Sequence, residues 1–415
     1  MSDQPQRKIL HIISQVPAAT GSGIYLQALL QHAARHGYQN YLLAGVPADF
    51  PAETNFAALA SHDHCLVRFE QDLPFPIVGM SDVMPYPSAR FSDLSAEQLA
   101  LYELCFKERL TEAVERWQPD LIHSHHLWLL SSLTRQLFPY IPMLVSCHGS
   151  DLRQFVNCPQ LQDAVLAGCR KVDVVCALSA VQKEEIEQLY GISRDLIHTV
   201  GAGYDRKKFF PLNRQRETPL QILYAGKLSR AKGVPWLLQA LNRLPDEDFI
   251  FHLVGDSDGA EKAEILQWAD HLGSRICVHG KLEQQQLATL MRHADLFVLP
   301  SFFEGLPLVL LEALASGCHL LTTALPGVKE LFSGIDSEWV ELLELPRMAS
   351  VDVPLAEDED KFVSQLQAGL TRQLELLRQE SQIGCPPALQ QLLDGYTWAG
   401  IFTRIENLYQ QLISK

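Results

Sequence analysis

Short apolar runs rich in β-branched residues recur along the chain, each bounded by Gly, Pro, Asn or Asp, and most are followed by ten or more residues with apolar positions at helical spacing. The runs predict strands at Lys8–Ser14, Asn40–Ala44, Leu121–His123, Met143–Ser146 and Val172–Leu178. A second set lies at Ile222–Gly226, Phe249–Val254, Ile276–His279, Leu296–Pro300 and His319–Thr322. Strands that alternate with helices form parallel sheets covered on both faces, so the fold class is α/β.

The alternation starts twice. Ile9–Ser14 leads through Thr20-Gly21-Ser22-Gly23 into a helix near 24–35 that stops at Gly37. Ile222–Gly226 leads through 227–233 into a helix near 234–244. Both are the strand, loop and helix that open a nucleotide-type fold, so two such domains are expected in series. Residues 203–220 between them carry Pro211, Pro219 and several charges, the composition of a linker. Two doubly wound domains in series leave a cleft faced by the carboxyl ends of both sheets, and chemistry is expected in the loops after the strands.

A chain of 415 residues is long enough for two or three cores. With 47% hydrophobic and 20% charged residues it is of ordinary globular composition. The net charge of −15, without a Lys/Arg run, argues against nucleic-acid binding and against more than peripheral contact with an anionic membrane. Nine cysteines, never spaced C-x-x-C, suggest neither a disulfide framework nor a zinc knuckle. No secretory leader and no run of eighteen apolar residues is visible, and a cytoplasmic location is expected.

Three stretches carry candidate chemistry. In Pro300-Ser301-Phe302-Phe303-Glu304-Gly305-Leu306-Pro307, a strand ends, Glu304 and Gly305 occupy the turn, and a helix begins that Gly317 should close. Backbone N–H groups at such a helix start can hold a phosphate, with Gly305 permitting close approach. Glu312 lies in a helix that is apolar nearly all round, so its carboxylate must find donors. Two ribose hydroxyls would serve, as would a Lys or Arg of the scaffold.

In Gly226-Lys227-Leu228-Ser229-Arg230-Ala231-Lys232-Gly233, two lysines stand near a helix start, where a cation is disfavoured. They suit a diphosphate held without metal, or simply a solvated surface. In the first half, Asp120-Leu121-Ile122-His123-Ser124-His125-His126 and Ser146-Cys147-His148-Gly149-Ser150-Asp151 put polar groups at strand ends. Their spacing favours hydrogen bonds to a substrate hydroxyl over a metal site, and no metal is expected. Asp256-Ser257-Asp258 follows a strand and precedes a helix, where Asp and Ser act as turn and cap residues. Leu26 stands where a dinucleotide fingerprint needs its last Gly, which argues against a dehydrogenase. Gly23 would then only let a helix start approach a substrate.

With these residues assembled, the chain resembles the retaining GT-B glycosyltransferases often called family 4, over nearly its whole length. The resemblance is most specific in the pair Glu304 and Glu312 of P-S-F-F-E-G-L-P-L-V-L-L-E-A-L-A-S-G and in the basic pair of G-K-L-S-R-A-K-G. Gly203-Tyr204-Asp205, His279-Gly280, Gly327-Val328-Lys329-Glu330 and the closing Tyr396-Thr397-Trp398 add to it. It implies two Rossmann-like domains, an acceptor domain over 1–205 and a nucleotide-sugar donor domain over 206–385, with helices over 386–415 that return to the first domain.

The implied activity is transfer of a hexosyl or N-acetylhexosaminyl unit, with retention and without metal or cofactor, from a UDP- or GDP-sugar to a small-molecule or glycan acceptor. Lys227 and Lys232 would neutralise the diphosphate, and Glu304 would contact the donor sugar. Gly305, Leu306, Pro307 and Leu308, with Gly23, would line phosphate and sugar, and Glu312 the ribose. His125 would act beside the transferred sugar, with His148 and Asp151 towards the acceptor. Lys227 stands where many members carry Arg, which keeps charge and loses bidentate geometry. The Pro-rich segment 72–94 is expected to cover the acceptor through Asp82 and Arg90, or else to be a surface loop ordered by its prolines. The competing functions are a GT-B epimerase or hydrolase of nucleotide sugars, and a catalytically silent nucleotide-binding partner of another transferase.

Overall fold

The computed structural model describes residues 6–414 except 18–19, 52–55, 57–58, 60–61, 82–83, 245–247, 258, 305, 351 and 381–383, and only the backbone of 259–260. Asp82 and Gly305 thus lie outside the described residues. The chain forms two compact units, residues 1–202 with 398–415, and residues 203–397.

The first unit is built on strands β1 (Lys8–Ile13), β2 (Gln39–Val46), β3 (His64–Arg68), β6 (Leu121–His125), β7 (Met143–Ser146), β8 (Val174–Ala177) and β9 (Ile197–Thr199). They form one sheet in the order β3-β2-β1-β6-β7-β8-β9, parallel throughout, and a short parallel pair, β4 (Val78–Gly79) and β5 (Ala89–Arg90), stands apart. Strand order reverses between β1 and β6, the place where doubly wound sheets take ligands. The helix Gly21–Arg35 opens on Thr20, whose side chain accepts the N–H of Gly23. Its buried stripe of Tyr25, Leu26, Leu29, Leu30 and Ala33 repeats every three to four residues, and His36 and Gly37, the latter at φ +86°, end it.

The second unit has strands β10 (Leu220–Ala225), β11 (Phe249–Val254), β12 (Ile276–Gly280), β13 (Leu296–Leu299), β14 (His319–Thr323) and β15 (Val340–Leu343), in the order β12-β11-β10-β13-β14-β15 and again parallel. The strand order is that of a Rossmann sheet, with its reversal between β10 and β13.

The expected strands stand within one or two residues of their positions. The tail differs from expectation: the helix Pro387–Gly395 stays with the second unit, because Leu389 and Leu393 are buried in that unit's core. Only residues from Trp398 onward join the first unit. There the helix Trp398–Ile413 buries Ile401, Phe402, Ile405, Leu408, Tyr409 and Leu412, a stripe worth about 1.5–3 kcal/mol per large side chain. Trp398 meets Tyr25 edge to face at 5.3 Å, and His36 hydrogen-bonds Glu406 at 2.8 Å. None of the nine cysteines is in a disulfide. Among the described residues, no helix is long and apolar enough to cross a membrane.

Candidate functional site

In the second unit the loops after β10 and β13 meet because Gly233 has no side chain. Its φ is +72°, and a Cβ there would lie 2.1 Å from the carbonyl oxygen of Pro300. The loops are joined by the N–H of Phe302, which donates to Ala231 O at 3.0 Å. This approach sets Lys232 Nζ 2.6 Å from Glu304 Oε1, and the same oxygen accepts the hydroxyl of buried Ser301 at 2.8 Å. Lys227 follows β10 directly and is exposed, with no hydrogen bond or ion pair from its ammonium among the described residues. Its carbonyl accepts Tyr224 Oη at 2.7 Å.

Pro307 is the N-cap of the helix Leu308–Ala315, Leu306 and Leu308 are half-buried, and Gly317 closes the helix at φ +94°. Glu312 finds no Lys or Arg within ion-pair distance among the described residues. Its Oε1 accepts the Gln284 amide at a long 3.4 Å, and Gln284 in turn accepts Lys208 Nζ at 2.7 Å. Burial pushes the Glu312 carboxyl up to about 7, against the pull of Gln284 and Lys208. The Lys or Arg partner that the scaffold could have supplied is thus not found among the described residues, and the long Gln284 contact is a weak donor for this carboxyl. Asp256 accepts the N–H of Ser257 at 2.9 Å and pairs with Lys262, as a turn residue does, and Asp258 lies outside the described residues.

In the first unit a cavity of about 280 Å³ opens at the strand reversal. Gln15, Thr20, Gly21 and Ser22, from the loop after β1, form one side, with His148 and Ser150 after β7 on another. The Pro-rich segment completes it with Met80, Ser81, Met84 and Pro85. Gln15 organises the wall: its amide nitrogen lies 2.6 Å from Ser22 Oγ and 3.3 Å from Thr20 Oγ1 and His126 Nε2, and its oxygen accepts the N–H of Met80.

His148 lines this cavity and His125 backs it, with His148 Nε2 at 3.2 Å from His125 Nδ1. Behind them His11, His123 and His125 bring one ring nitrogen each within 4.8 Å of one another, all buried, a trio the spacing of the histidines did not reveal because His11 comes from β1. Such a trio can ligate a transition metal. Here, however, both nitrogens of His123 already have partners, Tyr409 Oη and Ser146 Oγ, so a metal would have to displace one. Burial holds the imidazoles neutral, with His11 down at about 4, His126 and His148 at about 3, and His123 and His125 well below their ordinary value.

Two expected acceptor contacts are corrected. Asp151 is fully buried and its carboxylate accepts the N–H groups of Leu127 and His148, so it positions the His148 turn instead of touching an acceptor. Arg90 is exposed and paired with Asp93 at 2.8 Å, outside the cavity lining. Gly23 is buried in its helix, its N–H given to Thr20 Oγ1.

The arrangement sits in a chain whose residues 19–208 match the family described as Glycosyltransferase Family 4 and whose residues 205–337 match Glycosyl transferases group 1. The chain is a GT-B group 1 glycosyltransferase. This glycosyltransferase is 26% identical over 323 residues to the N-acetyl-alpha-D-glucosaminyl L-malate synthase of Bacillus anthracis, covering 73% of the chain and 82% of that relative. Sucrose-phosphate synthase from Thermosynechococcus elongatus has the same fold, with TM-score 0.65 at 20% identity over 99% of this chain and 100% of that one. Anabaena HepE, solved in complex with UDP and glucose, superposes with TM-score 0.62 at 16% identity over 98% and 100%. The transferase's second unit thus carries the basic and acidic loops, and its first unit the cavity.

Sequence reasoning missed Ser301, Gln284 and Lys208, which support the two glutamates, and Gln15, which supports the cavity. Gln15 and Ser301 each fall at or just after the carboxyl end of a strand beside a reversal point, a position that could have singled them out. Gln284 and Lys208 left no comparable signal.

Proposed function

We propose that the enzyme transfers a sugar from a nucleoside-diphosphate sugar to an acceptor hydroxyl, with retention at the anomeric carbon and without a metal ion or cofactor. The observation that carries the reading is the Lys232–Glu304 pair, an ammonium and a carboxylate presented together by the two loops at the second unit's strand reversal. Lys232 and Lys227 neutralise the diphosphate as charge grows on the leaving group, and Glu304 holds donor-sugar hydroxyls. Gly305, Leu306, Pro307 and Leu308 line phosphate and sugar, and Glu312 accepts the ribose hydroxyls. The UDP and glucose held by Anabaena HepE support a donor of this class.

The acceptor binds in the first unit's cavity beside His148. An imidazole held down at about 3 is too weakly basic to serve as a general base near neutral pH. As the family resemblance implies, the acceptor's proton goes to a leaving phosphate oxygen as the anomeric carbon–phosphate bond breaks and the carbon–acceptor bond forms. His148, backed by His125, supplies hydrogen bonds. The transferase works in the cytoplasm on a small-molecule or glycan acceptor, without nucleic acid and with at most peripheral membrane contact. The scattered cysteines, never spaced C-x-x-C, and the acidic balance support this.

Thermal denaturation with UDP, GDP and ADP, each with and without EDTA, tests the reading. A nucleotide at a hundred times its Kd adds about 2.7 kcal/mol of apparent stability. One nucleotide should stabilise equally in both conditions; stabilisation that EDTA abolishes, or none at all, refutes the metal-free donor site.

A further inference from the structure

We infer that the acceptor group held in the first unit's cavity is an uncharged, hydroxyl-bearing ring, a neutral sugar or cyclitol, rather than a carboxylate or phosphate ester. The inference rests on the reading of that cavity as the acceptor site.

Among the described residues the lining carries no formal charge. Its polar groups are Gln15, Thr20, Ser22, Ser81, His148 and Ser150, and no Lys, Arg, Asp or Glu contributes to it among the described residues. His148 is half-buried and packed against the imidazoles of His125 and His126; desolvation and the neighbouring His126 hold it below its ordinary value, so it offers a hydrogen bond and not a cation.

Backbone N–H groups at helix starts can hold an anion, but two of those beside the cavity, on Gly23 and His148, are already taken by side chains. Thr20 Oγ1 takes the N–H of Gly23 at 3.1 Å. At the other start, the Asp151 carboxylate takes the N–H of His148 at 3.1 Å and that of Leu127 at 2.8 Å. The first turn of the helix Ser150–Asn157 therefore already holds a negative group directly behind the cavity wall. A second anion would meet that carboxylate with no cation in the described lining to offset it.

What the wall does offer is two-sided. The lining combines Thr20 and Ser22, whose hydroxyls are held by the Gln15 amide, with the apolar side chains of Met80, Met84 and Pro85. A pyranose or cyclitol ring has the same division, hydroxyls at its edge and C–H groups on its face. The volume of about 280 Å³ is below the range of about 300–1,000 Å³ typical of drug-sized ligands and suits a single ring.

Calorimetric titration of the full chain in the presence of UDP tests this with matched pairs: glucose and glucose 6-phosphate, mannose and mannose 6-phosphate, myo-inositol and inositol 1-phosphate. In at least one pair the neutral ring should bind at least about tenfold more tightly than its phosphate. Met84→Lys, which adds a cation to the wall, should narrow or reverse that preference. Tighter binding of the phosphate in every pair, no binding of any neutral ring, or a preference unchanged by Met84→Lys overturns the inference. UDP binding in the same samples depends on the second unit, so its loss would instead mark failure of the donor reading.

Discussion

Lys232 Nζ lies 2.6 Å from Glu304 Oε1, with Ser301 Oγ on the same oxygen, so the ammonium, the carboxylate and a buried hydroxyl form one unit at the mouth of a parallel sheet. Both charged side chains keep some solvent contact, 26% for Lys232 and 17% for Glu304, and such a pair is worth at most about 1 kcal/mol to folding. Its strength is therefore available to a ligand. Glu304→Gln and Lys232→Ala should each lower turnover by well over about tenfold, more than about 1.4 kcal/mol of transition-state stabilisation, while melting temperature changes little. Wild-type turnover in both variants would remove the pair from the mechanism.

The approach that creates this pair depends on Gly233. Ala in its place would carry a left-handed backbone at about 1–2 kcal/mol and push its Cβ against Pro300 O. Gly233→Ala should destabilise the enzyme by at least that amount in urea unfolding and weaken nucleotide binding as Lys232 and Glu304 separate. Unchanged affinity together with unchanged stability would show that the loops do not need this contact.

How much of this was legible in the sequence follows the physics of each element. Central strands such as β1, β6, β10 and β13 are buried apolar runs and stand out. Of the strands missed in the two main sheets, β3, β9 and β15 all lie at sheet edges. There His64, Arg68, His198, Thr199 and Glu341 face partly towards solvent and dilute the apolar signal. Glu304, Glu312, Lys227 and Lys232 were visible because their motifs are local. The cavity was only half visible: the Pro-rich segment does line it, but through Met80, Ser81, Met84 and Pro85 rather than Arg90, which its neighbour Asp93 holds at the surface. The histidine layer was hidden in the same way, since His11 meets His123 only through the pairing of β1 with β6.

Glu312 gives the enzyme a pH-dependent nucleotide affinity. Its carboxyl is pushed up to about 7 from the usual range by burial, so the free protein carries it largely protonated at mildly acidic pH. Ribose hydroxyls donate best to the ionised form, so affinity for UDP should tighten by about tenfold as pH rises from about 5.5 to about 7.5. The phosphate of UDP ionises over part of the same range, so the measurement is the difference between wild type and Glu312→Gln in calorimetric titrations across pH. Parallel slopes in the two proteins would separate Glu312 from the ribose.

The imidazole layer of the first unit should make that unit acid-labile. His11 is held down at about 4 by burial, while in the unfolded chain it returns to about 6.5. A group whose folded pKa is depressed stabilises the fold above the unfolded pKa and loses that contribution as pH falls. Between about pH 6.5 and pH 4 the unfolded state binds the extra proton. For His11 alone the loss is about 2 kcal/mol on moving from about pH 7.5 to about pH 5, and His123, His125, His126 and His148 act in the same direction. Urea unfolding monitored at the two pH values should show a steep loss of stability on acidification in the wild type. It should show a shallower one in His11→Gln, which retains a polar group near Asn40 but cannot take up the proton. If the two proteins lose stability equally on acidification, His11 is not held neutral by its surroundings, and the layer is open enough for water to reach it.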